Sequence, residues 1–279
     1  MSFVENGFVD MGRVIDKKDC EAALRGLRAN RPWGPELFLS EADFRYNPTL
    51  VGVNPRPGRN ALEHMDLDFV ENNYAIKEYV RAILGPVSTV LCKKAVAAIP
   101  AEWLPDWVKQ EIKERPVPNL GAYIKPEYRD ITYFHGIDWH QDIIDYPERK
   151  ADFITLYVYL DKVTVDDSPL QVILRSHERG AQVFPHNLKD YGELETRVLT
   201  GPPGTAYLWH SCLLHGTQPS ASVANRISLR YVIAKQGANG YLLDEVNEEI
   251  EGPLSLAATR RDLDKTGKSI LKGNTINES

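Results

Sequence analysis

This chain has few cysteines and no excess of positive charge. The three cysteines, Cys20, Cys92 and Cys212, are widely spaced among 279 residues, which favours reduced thiols over a disulfide framework. A net charge of −6 argues against a generic nucleic-acid surface. No apolar run approaches the ~20 residues of a membrane span, and the first residues lack the basic and apolar regions of a signal peptide. These absences predict a cytoplasmic protein that binds neither nucleic acid nor a membrane.

The content of apolar residues, 43%, is enough for a large core. Strong helix formers and an apolar stripe predict a helix over residues 17–29, and similar patterns predict helices over 67–83 and 102–114. Residues 30–62, rich in Pro, Gly and Asn, are predicted to form a loop, and residues 87–97 a strand.

From about residue 119 the pattern changes to short strands separated by turn residues, which is typical of a sandwich or barrel. The sequence therefore predicts a mainly β fold with flanking α-helices: a double-stranded β-helix (a cupin-like jelly roll) braced by N-terminal helices. We expect a single domain over 1–279, with N-terminal support over 1–118, the jelly-roll core over 119–236 and a polar tail over 249–279.

An H-x-D pair and a remote histidine carry the chemistry: His140, Asp142 and His215. Two histidines and one carboxylate form the facial triad that holds Fe(II) and leaves other coordination positions open. On an extended backbone the residues of an H-x-D pair point to the same side, because side chains alternate with period two. The third ligand must come from another strand.

An arginine-bearing strand follows the distal histidine. In residues 226–234, Arg226, Ser228 and Arg230 share one face, whereas the opposite face is apolar. Buried arginine is costly unless an anion pairs with it, and its planar fork suits a carboxylate. Arg226 is therefore predicted to receive the distal carboxylate of 2-oxoglutarate, with Ser228 as a hydrogen-bond partner. Arg230 is interpreted either as a support for the site or as a surface group near the strand end.

A second strand alternates cleanly. Over residues 153–160 one face is aliphatic, and the other carries Thr155 and Tyr157 with further aromatic residues, as expected for the lining of a ligand-holding barrel. Thr155 and Tyr157 are candidate contacts for 2-oxoglutarate, and core packing is an equally good interpretation.

Together these segments resemble the phytanoyl-CoA dioxygenase family of non-haem Fe(II)/2-oxoglutarate oxygenases. The pieces that carry the resemblance are residues 139–142, 153–161, 168–177, 201–204, 210–216 and Arg226. A weaker similarity lies at residues 3–9, which resemble the opening strand of the family.

The resemblance implies Fe(II) held by His140, Asp142 and His215, with 2-oxoglutarate as co-substrate and O2 as oxidant. It implies that Thr217 assists Arg226, and that Tyr123 contacts co-substrate or substrate. The implied activity is hydroxylation of an unactivated C–H bond of a small molecule, with release of succinate and CO2. Because Asp142 is present, hydroxylation is favoured over halogenation.

Two alternatives stay open at this point. One is a cupin-type metalloenzyme that uses the same triad without 2-oxoglutarate, and the other is a catalytically silent binding relative. The substrate is hypothesised to be an anionic or zwitterionic metabolite. That hypothesis depends on basic loop residues that could instead form a solvated surface: Lys125, Arg129, Lys150, Arg175 and Arg179. The sequence predicts no oligomeric state.

Overall fold

The computed structural model describes residues 3–50, 60–113, 115–145, 151–182, 184, 186 and 188–236. The predicted polar tail and Lys150 lie outside these residues. Among the helices of the described part, none has the length and apolar character to cross a membrane.

Six α-helices lie in the first 112 residues. They are α1 (Phe3–Asn6), α2 (Lys17–Arg28), α3 (Glu41–Tyr46), α4 (Asp68–Glu71), α5 (Tyr74–Leu84) and α6 (Asp106–Ile112). Helix α2 forms where its apolar stripe predicts it, with Cys20, Ala23, Leu24 and Leu27 buried. The predicted helix over 67–83 is divided in two. The side chain of Asn73 accepts a hydrogen bond from the backbone N–H of Ile76, so Asn73 begins a new helix as an N-cap.

The described residues also contain ten strands. They are β1 (Phe8–Arg13), β2 (Ser88–Ala98), β3 (Thr132–Phe134), β4 (Ile137–His140), β5 (Phe153–Tyr159), β6 (Leu170–Ile173), β7 (Thr196–Leu199), β8 (Thr205–His210), β9 (His215–Thr217) and β10 (Arg226–Lys235). The predicted strands at 87–97, 153–160 and 226–234 are confirmed to within a residue or two.

The strands form two sheets. One has six strands in the order β1-β8-β5-β10-β2-β3, and the other has four in the order β4-β9-β6-β7. All pairings are antiparallel except that of β2 with β3. A shared core cluster joins the sheets, with Tyr157 and Trp209 from the larger and Val172 from the smaller. The predicted mainly β, jelly-roll architecture with N-terminal helices is confirmed, and the two sheets do not close into one barrel.

The larger sheet separates an apolar side from a polar side. Leu156 of β5 and Ile227 and Leu229 of β10 are buried in the cluster that also contains the helices. The register pairs Arg230 with Tyr157, so the alternate residues of the two strands share the opposite face. That face looks toward the smaller sheet, and it is the side on which the predicted site residues lie.

Three local predictions need correction. Residues 3–6 form a helix rather than a strand, and the chain turns at Gly7 (φ +66°) before β1 begins. The predicted helix over 102–114 is shorter, because Pro105 is the N-cap of α6 and a separate 3₁₀ turn, Ala101–Trp103, precedes it. Residues 119–125 form turns instead of the expected strand.

Candidate metal centre

The three predicted ligands lie together. His140 is the last residue of β4 and pairs across the smaller sheet with His215, the first residue of β9. Asp142 opens the 3₁₀ turn Asp142–Asp145 that follows β4. One ligand atom from each of the three buried residues lies within 4.8 Å of the others, a spacing that one metal ion can bridge.

Local hydrogen bonds orient both imidazoles. Nδ1 of His140 lies 2.8 Å from the carbonyl oxygen of Asp138, and Nδ1 of His215 lies 2.9 Å from that of Leu213. A carbonyl only accepts, so each Nδ1 carries the proton and each Nε2 keeps its lone pair. These nitrogens lie 3.9 and 3.6 Å from Oδ1 of Asp142. The Nε2 atoms of both rings therefore face the same carboxylate oxygen, so one metal ion placed among the three atoms could bind all of them.

The two oxygens of Asp142 have different partners. Oδ2 accepts hydrogen bonds from Thr155 Oγ1 at 2.6 Å and from Trp209 Nε1 at 2.9 Å. Oδ1 faces the histidines and accepts a hydrogen bond from Nη2 of Arg230 at 2.5 Å. Burial alone would raise the pKa of Asp142, but the Arg230 guanidinium, the two histidines and the Thr155 hydroxyl hold that pKa well below its usual range. The carboxyl is therefore ionised, as a metal ligand must be.

This donor set fits Fe(II). Two neutral imidazole nitrogens and one carboxylate oxygen occupy one side of the ion, which leaves positions for co-substrate and O2. The three side chains are at most 8% exposed, so the centre is shielded from bulk water.

A buried arginine, Arg226, is the first residue of β10. The side chain of Arg226 is buried, with Phe134 and Tyr159 rings near its guanidinium. It donates to the Tyr157 and Ser228 hydroxyls at 2.9 Å, and to the carbonyl oxygens of Asp167 and Ser168. Within the described residues no carboxylate accepts a hydrogen bond from Arg226. Asp167 interacts with the guanidinium electrostatically, but the atoms that accept its hydrogen bonds are all neutral, so an anion in direct contact would stabilise this buried cation further.

Other predicted contacts surround this receptor. Tyr157 and Thr217 line the cavity that also contains the three ligands. The Thr217 hydroxyl is hydrogen-bonded to the hydroxyl of Ser168, and the carbonyl oxygen of Ser168 accepts a hydrogen bond from Arg226. Thr155 lies on the expected inner face, where its hydroxyl supports Asp142. Of the predicted co-substrate contacts, Tyr157 and Thr217 thus line the cavity, Thr155 is hydrogen-bonded to Asp142, and Arg226 is hydrogen-bonded to Tyr157 and Ser228.

Tyr123 and the basic loop residues lie elsewhere. The Tyr123 ring packs against Phe44 and Trp107 in the N-terminal core, and Tyr123 is not part of the cavity lining. Arg129 is buried against backbone carbonyls, and exposed Arg175 pairs with Glu178. The basic loop residues considered for the substrate that fall in the described part do not line the cavity either.

The cavity at the ligand cluster has a volume of about 90 Å³. A larger groove of about 500 Å³ lies between α5 and the outer side of β2, but it contains none of the three ligands. Because the chemistry depends on the ligands, the smaller cavity is the candidate site. Its walls include Lys94 and Arg230, which occupy directly opposed positions on β2 and β10.

Sequence reasoning missed Lys94 and the role of Trp209. The inward orientation of Lys94 depends on the register between β2 and β10, which no local pattern reveals. Trp209 lines the cavity and is also a hydrogen-bond donor to Asp142. The turn residues at 201–204, which precede β8, were the available signal, because they fix where that strand begins and hence which face Trp209 occupies.

Comparison with known proteins places the chain in a family. The family model described as phytanoyl-CoA dioxygenase (PhyH) matches residues 3–228. A probable alpha-ketoglutarate-dependent hypophosphite dioxygenase of Stutzerimonas stutzeri is 31% identical over a segment that covers 32% of this chain and 36% of that protein. The match thus spans about a third of the length of this relative.

Solved structures share the fold at low sequence identity. The non-haem alpha ketoglutarate dependent carbocyclase SnoK from nogalamycin biosynthesis is 13% identical, with a TM-score of 0.54 over 90% of this chain and 92% of that one. HygX from Streptomyces hygroscopicus, solved with nickel and 2-oxoglutarate bound, is 11% identical, with a TM-score of 0.50 over 86% of each chain. At such identities the likeness concerns the fold alone. From the family match over most of its length, the chain belongs to the phytanoyl-CoA dioxygenase family of Fe(II)- and 2-oxoglutarate-dependent oxygenases.

Proposed function

We propose that this chain is a hydroxylase that uses Fe(II) and 2-oxoglutarate to oxidise an unactivated C–H bond of a small molecule bearing an anionic group. The observation that carries the proposal is the convergence of His140, Asp142 and His215 in a cavity whose wall residue Tyr157 is hydrogen-bonded to the buried guanidinium of Arg226. A metalloenzyme that works without 2-oxoglutarate has no need of such an arginine.

In this proposal His140 and His215 bind Fe(II) through Nε2, and Asp142 binds it through Oδ1. Thr155 and Trp209 hold the other oxygen of Asp142, so the carboxylate keeps one orientation. When bound, Fe(II) with 2-oxoglutarate and O2 supplies the oxidising chemistry that inserts oxygen into the substrate and releases succinate and CO2. No side chain has to act as an acid or base in that reaction.

Arg226 binds the distal carboxylate of 2-oxoglutarate. The hydroxyls of Tyr157 and Ser228 already fix its Nη1, so the guanidinium is held before the anion arrives. Thr217, on the same strand as His215, offers a hydroxyl on the cavity wall, and it is hydrogen-bonded to Ser168, whose carbonyl oxygen accepts from Arg226. The co-substrate is thereby oriented from both ends.

Apolar side chains in the same wall limit the access of water. Phe134, Ile137 and Leu170 line the cavity beside the polar groups. Exclusion of water strengthens the electrostatic contacts inside the site and protects reactive species from side reactions.

An anionic substrate is supported by the basic residues of the wall and by one relative. Lys94 and Arg230 line the cavity, whose carboxylates are the ligand Asp142 and Asp145. The Stutzerimonas stutzeri relative carries a name that specifies hypophosphite, a small anion. The cavity of about 90 Å³ also favours a small substrate.

The test is succinate production. Purified protein with Fe(II), 2-oxoglutarate and O2 should form succinate slowly, and one or more members of a panel of small carboxylates and phosphorus oxyanions should accelerate it. His215→Ala should abolish the reaction, whereas Arg175→Gln, on the exposed surface, should not change it. O2 consumption without succinate would instead favour the cupin-type enzyme. Failure to bind Fe(II) or Mn(II) at micromolar concentrations would favour the silent binding relative.

A further inference from the structure

Arg230 is hydrogen-bonded to Oδ1 of Asp142, the oxygen that faces the two histidines. Its Nη2 donates to Oδ1 of Asp142 at 2.5 Å, and the arginine side chain is only 13% exposed. Oδ1 is also the oxygen that faces Nε2 of both histidines. Oδ2 already accepts two hydrogen bonds, from Thr155 and Trp209, so it is not the free ligand atom.

Arg230 therefore competes with a divalent cation for Asp142. Two positive charges that share one carboxylate oxygen in a buried site repel each other strongly, because little water is present to screen them. When the metal centre is filled, the guanidinium of Arg230 has to move away from Oδ1 or to gain an anion of its own.

The strand positions determine what else Arg230 can reach. Arg230 lies on the central strand β10, directly opposite Lys94 on β2 and Tyr157 on β5. All three residues line the cavity of the metal centre. A guanidinium displaced from Asp142 thus stays within the same cavity, next to a lysine.

Arg226 and Arg230 have different hydrogen-bond partners. They are four residues apart on one strand, which corresponds to roughly 13 Å along it. Arg226 is surrounded by Tyr157, Ser228 and backbone carbonyls, whereas Arg230 contacts a metal ligand directly. One dicarboxylate that occupies Arg226 leaves Arg230 for a second ligand.

We propose, resting on the function proposed above, that Arg230 and Lys94 form the substrate's oxyanion receptor beside the metal. Arg230 donates to Oδ1 of Asp142, and metal binding at Oδ1 would release its guanidinium to the oxyanion. The ligand chemistry is a small oxyanion, either a carboxylate or a phosphorus oxyanion, whose oxidisable bond then lies close to the metal ligands. Metal binding and substrate binding are thereby linked through one side chain.

The first measurement is the affinity for Mn(II) without any added oxyanion. Calorimetry or the EPR signal of free Mn(II) gives this affinity. Arg230→Gln should bind Mn(II) about tenfold more tightly than the wild type, since removal of a charge-assisted hydrogen bond worth about 1.4 kcal/mol frees Oδ1. Arg175→Gln, which removes an exposed arginine paired with Glu178, is the matched control and should leave the affinity unchanged.

The second measurement is oxyanion binding to the wild type with Mn(II) and 2-oxoglutarate present and O2 excluded. Acetate, phosphite and methylphosphonate are the probes. At least one should bind, and Arg230→Gln should weaken it by at least about tenfold, with Arg230→Lys intermediate and Lys94→Met also weaker. Binding of acetate alone identifies a carboxylate substrate, and binding of the phosphorus probes alone identifies a phosphorus oxyanion.

The outcomes separate this inference from the proposed function. If neither wild type nor Arg230→Gln binds Mn(II), both proposals are overturned. If both bind Mn(II) and 2-oxoglutarate with equal affinity, and no probe binds or the variant binds it as tightly, only the Arg230 receptor is overturned. Tighter Mn(II) binding by the variant together with lost oxyanion binding supports the inference.

Discussion

The indole Nε1 of Trp209 donates a hydrogen bond to Oδ2 of Asp142 across 2.9 Å, and so connects the larger sheet to a ligand carried by the smaller one. Metal ligands generally depend on such outer partners for orientation. Trp209 is fully buried and also packs against the ring of His215.

Trp209→Phe should therefore weaken metal binding. The phenyl ring retains most of the packing but lacks the N–H donor, so Asp142 loses one of its two fixed contacts on Oδ2. We expect Mn(II) affinity to fall by about 10- to 100-fold, as for other outer partners of metal ligands. Trp107→Phe, in the N-terminal core beside Phe44, is the matched control. Equal Mn(II) affinities in the two variants would show that Trp209 only packs.

Arg226→Met should act on the co-substrate alone. It removes the buried cation without adding a charge, so 2-oxoglutarate should bind at least about 100-fold more weakly in the presence of Mn(II). Mn(II) affinity itself should change by less than about twofold, because Arg226 does not contact the three ligands. Calorimetric titration with both ligands gives the two values.

Arg226→Lys provides the comparison for that prediction. The ammonium keeps the charge but cannot form the paired hydrogen bonds of a guanidinium, so an intermediate affinity is expected. If Arg226→Met bound 2-oxoglutarate like the wild type, the co-substrate would have to be held elsewhere.

Stability should fall at acidic pH because of His210. Burial and the neighbouring His177 lower the pKa of His210 to about 3. Its Nδ1 accepts a hydrogen bond from the Cys212 backbone, and its ring lies against those of His177 and Phe3. The pKa of His177 is also lowered by burial. A histidine that is neutral in the fold but ordinary when unfolded contributes stability above about pH 6.5, and that stability is lost as the pH falls toward 3.

Between pH 7.5 and 5.5 the free energy of unfolding should thus fall by about 1 to 2 kcal/mol through His210. Urea denaturation at the two pH values measures the loss. His210→Gln, which cannot titrate, should lose less, whereas His64→Gln, on the surface, should keep the wild-type loss. Identical losses in all three proteins would exclude His210 as the cause.

Gly216 allows close approach of β9 to β4. A Cβ at this position would lie 2.9 Å from the carbonyl oxygen of Ile137 and 3.2 Å from the backbone nitrogen of Trp139. Gly216→Ala should push apart the two strands that carry His215 and His140. We expect a loss of about 1 to 3 kcal/mol in the free energy of unfolding and weaker Mn(II) binding.

The control for Gly216 is a glycine without such neighbours. Gly26 lies inside α2, and an added Cβ would make only an ordinary contact with Met65 at 3.5 Å. Gly26→Ala should stabilise the protein by about 0.5 to 1 kcal/mol, because alanine is the better helix former. A Gly216→Ala protein as stable as the wild type would mean that β4 and β9 can separate without cost.

The ligands were predictable because the types of residue and their order along the chain are enough to identify them. An H-x-D pair, a distal histidine and an arginine soon after it form a distinctive order, and the alternation of β5 and β10 correctly placed their inner faces. The family resemblance added Thr217, which lines the cavity. It also suggested Tyr123, whose ring packs instead in the N-terminal core.

The partners of those ligands were harder to predict because they depend on strand register. The position of Lys94 opposite Arg230 follows from the pairing of β2 with β10, two segments far apart in the chain. The contact between Arg230 and Asp142 joins β10 of the larger sheet to the 3₁₀ turn that follows β4 of the smaller one. Periodicity assigns a residue to a face, but it does not say which distant side chain will lie across from it.

The two histidine ligands belong to the four-stranded sheet, whereas Thr155, Trp209, Arg226 and Arg230 all belong to the six-stranded sheet. Neither layer alone contains a complete site. The complete site is consequently formed only when the two sheets are packed together. A bound ion would be held by residues of the smaller sheet, whereas Thr155 and Trp209 of the larger sheet orient its carboxylate ligand. Any change that loosens the packing between the sheets should therefore weaken metal binding before it unfolds the protein.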